Sequence, residues 1–150
     1  MVLNAVSPEP LRDLAALVVK EGVGLGGLSA AHRSWALALV WAGLPAQASP
    51  TERQINEMLK AQLTGVAAFL DIDHVELRRW LVDTGWLTRD GYGREYRRVG
   101  LDALSAGQRE VADALSGIEP GAWVAEVRAA HRTRRDAGRA RWQAGSGTTA

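Results

Sequence analysis

The sequence predicts a mainly α protein with one small β-hairpin, a winged helix-turn-helix carrying additional helices at both ends. Three observations predict it. Capping signals open two closely spaced helices at residues 49–52 and 73–76, a glycine stop follows the second at Gly85, and two strand-like runs then flank Asp90-Gly91-Tyr92-Gly93. With 150 residues and 47% apolar side chains, the chain can bury one continuous core.

The elements follow in order. Residues 8–20 place Leu11, Leu14, Leu17 and Val18 at helical intervals behind Ser7 as N-cap, so a leading helix can dock by one face. It stops in Gly22-Val23-Gly24-Leu25-Gly26-Gly27. That run formally contains a G-x-G-x-x-G, but the dinucleotide fingerprint needs a strand before the glycines and a helix precedes them here, so a flexible connector is expected. Ser29 caps the next helix, which holds Trp35, Leu37, Leu39, Val40 and Trp41 and ends at Gly43. Being apolar nearly all round, it belongs at the centre, with residues 44–48 extended after it.

Ser49-Pro50-Thr51-Glu52 reads as an N-cap serine, a proline at the first helical position and a glutamate three residues after the cap. A helix to about Leu63 buries Ile55, Met58, Leu59 and Leu63, and Thr64-Gly65 begins a turn. Asp73-His74-Val75-Glu76 opens a helix whose Leu77, Trp80 and Leu81 share one face. The hairpin uses residues 86–89 and 95–99. Two further helices are expected, at residues 105–116 with Val111, Ala112 and Leu115 inward, and from Pro120 to about Trp142. The expected organisation is a leading helix and glycine-rich connector at 1–27, a winged-helix core at 28–99, C-terminal helices with a basic arm at 100–144, and a disordered tail at 145–150.

Composition narrows the function. Without cysteine, a disulfide framework, a thiolate metal site and a thiol nucleophile are excluded. Glu9, Arg12, Asp13, Lys20 and Glu21 interrupt every early apolar run, so no secretory signal is expected. The most hydrophobic stretch, residues 35–44, covers about half of the ~20 residues a membrane span needs. A soluble cytoplasmic protein without membrane contact is the expectation. Net charge is +1, yet residues 120–150 carry six arginines against Glu126 and Asp136, a +4 arm on a −3 body. Such asymmetry fits an anionic partner, and a solvated helix face gives the same count.

The residues also carry a family resemblance. Thr51-Glu52-Arg53-Gln54-Ile55-Asn56-Glu57-Met58-Leu59, Leu77-Arg78-Arg79-Trp80-Leu81-Val82-Asp83, Trp86-Leu87-Thr88-Arg89 and Glu95-Tyr96-Arg97-Arg98-Val99 resemble the bacterial domain of unknown function numbered two thousand and eighty-seven, over residues 28–99. The resemblance implies a winged helix and, because that domain occurs alone or fused to transcription-regulator domains, a regulatory role. It supplies no catalytic or ligand residues, and residues 1–27 and 100–150 lie outside it.

In a winged helix, residues 73–84 would enter the major groove, where Arg78 and Arg79 can reach guanine edges or phosphates. Against this, residues 71–85 hold two arginines and four acids, net −2, and Arg79 can pair with Asp83 across one turn. The hairpin adds Arg89, Arg94, Arg97 and Arg98, some on one exposed face, suited to phosphate or minor groove. In the last helix Trp123, Val124 and Val127 form an apolar stripe, and arginines including Arg132, Arg135 and Arg139 dominate the remainder. That half can meet phosphates or pack on a second copy. Of six tryptophans, only Trp123 and Trp142 are free to stack on unpaired bases.

Residues 71–76 do not make an EF-hand, because Val75 stands where an oxygen ligand and Glu76 where glycine is needed. His32, His74 and His131 are too widely spaced for a zinc motif, and no P-loop or G-x-S-x-G elbow is present. The expectation is a non-enzymatic regulator without metal or cofactor that binds double-stranded DNA through wing and helix arginines, dimerising through its terminal helices. The alternative is a winged-helix protein-interaction or structural adaptor that does not bind DNA.

Overall fold

The computed structural model describes residues 9–92 and 94–147. A 3₁₀ turn at Glu9–Leu11 leads into α1 (Arg12–Val18), and a second at Leu25–Gly27 precedes α2 (Ala30–Ala42), α3 (Glu52–Leu63) and α4 (His74–Asp83). Strands β1 (Leu87–Arg89) and β2 (Tyr96–Arg98) follow, then a 3₁₀ turn at Leu101–Ala103, α5 (Ala106–Leu115) and α6 (Pro120–Gly147). The mainly helical, winged-helix-like fold expected from the sequence is the fold observed. Ser7, expected to cap the leading helix, and residues 148–150 of the expected tail lie outside the described residues.

Helix α2 is the centre because its sequence leaves no polar face: residues 36–41 are all buried, and α1, α4 and α5 pack around it. Its C-terminal carbonyls need partners once the helix ends. Gln62 of α3 reaches across to donate Nε2 to the Val40 carbonyl at 3.0 Å. A Cβ at Gly43 would lie 2.9 Å from that nitrogen, so glycine at this position makes room for the cross-link. Trp41 packs on Trp86 with ring centroids 5.7 Å apart and donates its indole N–H to the Val99 carbonyl, tying α2 to the end of the hairpin.

The start of α3 differs from the sequence expectation. Thr51, not Ser49, is the N-cap, in a reciprocal box with Gln54. The reason is the sheet: the Pro50 carbonyl accepts the Tyr96 N–H at 2.8 Å and Thr51 bridges Glu95, so the chain stays extended through Pro50 to edge the hairpin. The glycine connector also departs from the expected flexible link. Gly22, at φ +66°, turns the chain so that Val23 bridges Leu70, the Val23 N–H reaching the Phe69 carbonyl at 2.9 Å and its carbonyl accepting from Asp71 at 2.7 Å.

Helix α4 starts where expected, with Asp73 accepting the Glu76 N–H at 2.8 Å, and Gly85 at φ +86° turns the chain out of it. Strands β1 and β2 pair antiparallel with Leu87 opposite Arg98 and Arg89 opposite Tyr96. Asp90 closes the turn by accepting the backbone N–H groups of Tyr92 and Arg94. Helix α5 opens with a Ser105–Gln108 box, and Gln108 donates to the Thr84 carbonyl at the end of α4.

Helix α6 starts on Glu119, whose carboxylate accepts the N–H groups of Gly121 and Ala122, and it buries Trp123, Val124 and Val127. It runs on to Gly147, past the expected end near Trp142, because the arginine- and alanine-rich run holds no stop signal and Gly145 is accommodated inside the helix. From residue 132 to 145 every position except Gly138 is exposed. No helix among the described residues is long and apolar enough to cross a membrane.

Candidate nucleic-acid interface

The outer surface of α4 is divided. Leu77 and Leu81 face the core, which leaves two solvent-side strips. Val75, Arg78, Arg79 and Val82 recur at the three- and four-residue spacing of one helix face and turn toward the hairpin, where they line a cleft of about 250 Å³ with Asp83, Arg89 and Tyr96. Asp73, Glu76 and Asp83 lie with Trp80 along the other side, around a depression of about 500 Å³ that Arg79 and Val75 border. The unfavourable net charge of this segment is therefore unevenly spread: both arginines and one acid, Asp83, line the wing cleft, and Asp73 and Glu76 line only the depression beside it. Arg79 does not pair with Asp83: no ion pair among the described residues joins them.

The six arginines expected in the helix and hairpin occupy different settings. Arg78 is half-buried, donates to Asn56 of α3 and lies 5.5 Å from the Tyr96 ring centre, so it braces α3, α4 and β2 against one another. Arg79 and Arg89 are exposed on the cleft. Arg94 lies over Tyr92, which is 84% exposed on the hairpin turn. Arg97, on the outer face of β2 opposite Thr88, donates to Ser49 Oγ. Arg98 turns the other way: its guanidinium lies 3.9 Å from the centre of the Trp41 ring and donates to the Leu44 carbonyl at 2.8 Å. Burial pulls its pKa below the ordinary arginine value, and the guanidinium stays charged in the folded protein.

The C-terminal arginines form a separate group. Arg128 donates Nε to the Val18 carbonyl and its two terminal nitrogens to those of Gly65 and Val66, at 2.9–3.2 Å. Arg132 and Arg135 line a cleft with the end of α1, while Arg139 is exposed further along the helix. That cleft shares no lining residue with the one between α4 and the hairpin. Of the two tryptophans expected to be free for stacking, Trp123 is buried at 4% exposure because it anchors the start of α6, and Trp142 is 72% exposed.

Asn56, Tyr92, Lys20, Val75 and Val82 are not among the site residues that the sequence suggests. The Val75, Arg78, Arg79, Val82 spacing was the available signal for a face distinct from the acids; no sequence pattern announces the reach of Arg128 to three carbonyls.

No curated protein and no solved structure matches the chain. Residues 29–98 match the family model described as an uncharacterized protein conserved in bacteria (DUF2087). The matched segment runs from the N-cap of α2 to the last residue of β2, so the part of this chain that resembles DUF2087 is its winged-helix unit.

Proposed function

We propose that this is a cytoplasmic DNA-binding winged-helix protein that regulates transcription in bacteria, docking α4 in the major groove of duplex DNA with the hairpin on the adjacent backbone. The observation that carries the reading is the segregation of charge on α4. Arg78, Arg79 and Arg89 line the cleft against the wing, with Asp83 the one acid there, while Asp73 and Glu76 line only the neighbouring depression, whose shared edge is Val75, Arg79 and Asp83. Guanidinium groups so placed can bond guanine edges or phosphates, and an exposed valine can meet a thymine methyl. Arg94 and Arg97 extend the cationic surface along the hairpin, whereas Arg78 and Arg98 position the elements.

Fluorescence anisotropy with random-sequence duplex and single-stranded DNA, from low to physiological salt, tests this. Duplex binding that weakens steeply with salt is expected; absence of binding at low salt and micromolar protein would sink the proposal. The arm is better tested by substitution than by removal, because α6 supplies Trp123, Val124 and Val127 to the core. Two-fold DNA sites favour two-fold proteins, so dimerisation through the terminal helices belongs to the proposal, and light scattering on a size-exclusion column should show a dimer at micromolar concentration.

A second reading has its own observation. Trp80 with Asp73, Glu76 and Asp83 makes an acidic, partly apolar depression on the helix that DNA would have to approach. That suits a basic protein segment and the adaptor role. Loss of a protein partner on Glu76→Lys, with no duplex binding by the parent chain, would favour it.

A further inference from the structure

We infer that the cleft between α6 and the end of α1 is a binding site for a small phosphate-bearing ligand, independent of DNA binding. The cleft holds about 350 Å³, the size range of small-molecule sites. Arg128, His131, Arg132 and Arg135 stand at i, i+3, i+4 and i+7, so one face of α6 turns three arginines and a histidine to it, and Lys20 adds a fourth cation from just past α1. Glu21 is the one carboxylate lining it.

Like charges four apart on a helix repel, and Arg128 and Arg132 are so spaced. Arg128 is fixed by its three carbonyl partners and forms a rigid wall. Lys20, Arg132 and Arg135 make no ion pair among the described residues. A cleft that gathers cations and leaves them without carboxylate partners is matched by a multiply charged oxyanion, and guanidinium forks select phosphate geometry. Its floor is Ala68 and Phe69, in the turn between α3 and α4, and the Phe69 carbonyl holds Val23. An occupant would therefore bind across three segments and stabilise the turn that sets α4.

The test titrates pyrophosphate and inorganic phosphate into the full chain by calorimetry, against sodium chloride at matched ionic strength, with thermal unfolding in parallel. Saturable one-site binding of pyrophosphate with a rise in Tm is expected. Arg132→Ala with Arg135→Ala should weaken it by about tenfold or more, with an unchanged circular dichroism spectrum, and Arg139→Ala should leave it intact. No saturable binding, or equal binding by the double variant, overturns the inference. So does a third result, in which pyrophosphate fails to bind but the double variant loses duplex DNA affinity, which would assign the cleft to the nucleic-acid backbone.

Discussion

In the hairpin, Arg97 and Arg98 are neighbours in sequence and opposite in setting; in α6, Arg128 and Arg132 stand one turn apart and divide in the same way. One member of each pair, Arg98 in the hairpin and Arg128 in α6, is drawn inward to backbone carbonyls, and the other stays on the surface. The carbonyls involved are alike. Leu44 follows the end of α2, Val18 is the last residue of α1, and Gly65 and Val66 follow α3. All four lie at or just past the C-terminus of a helix, where the dipole favours a cation. Arg33 and Arg109 do the same for the carbonyls of the 3₁₀ turns beside them. A count of arginines therefore overstates the charge offered to a partner.

The contrast can be broken most sharply at Arg128. Replacing it with alanine removes the side-chain donors of the Val18, Gly65 and Val66 carbonyls at the junction of α1, α6 and the α3–α4 turn. Of these, Gly65 keeps the Ala68 N–H, and the change should cost about 2–3 kcal/mol in urea unfolding. Arg139→Ala, further along the same helix, should stay within about 0.5 kcal/mol. Equal effects would show that the inward bonds of Arg128 do not hold the junction. In the hairpin, Arg98→Ala should cost about 2 kcal/mol through the lost Leu44 bond and the lost cover over Trp41, and Arg97→Ala should again fall within about 0.5 kcal/mol.

A smaller effect sharpens the account of how the wing joins the helices. Thr51→Ala should cost about 1 kcal/mol and Ser49→Ala clearly less, since Thr51 caps α3 while Ser49 only receives Arg97. The reverse ranking would restore the cap that the sequence suggests.

That ranking also marks what sequence could and could not reveal. Helix order, the buried run around Leu37–Val40, the Asp73 cap, the Gly85 stop and the hairpin were legible because each rests on local pattern: periodicity, capping and turn chemistry. The start of α3 was not, because the competing claim on Pro50 comes from Tyr96, 46 positions away in sequence. The candidate site divided on the same line. Alternation placed Arg97 outward and Arg98 inward only once the register with β1 was known, and no local pattern tells which arginine will find a helix end. The two adjoining strips of α4 were present in the spacing all along, but a net charge averaged over the segment hid them.

The most direct test of the central claim, that the α4–hairpin face rather than the total arginine content binds duplex DNA, is the salt dependence of duplex affinity for the parent chain and for Arg79→Ala with Arg89→Ala. The account predicts that the double variant folds normally, binds more weakly, and loses about two from the slope of log K against log salt. A double variant that binds duplex as tightly as the parent, with an unchanged slope, would contradict it.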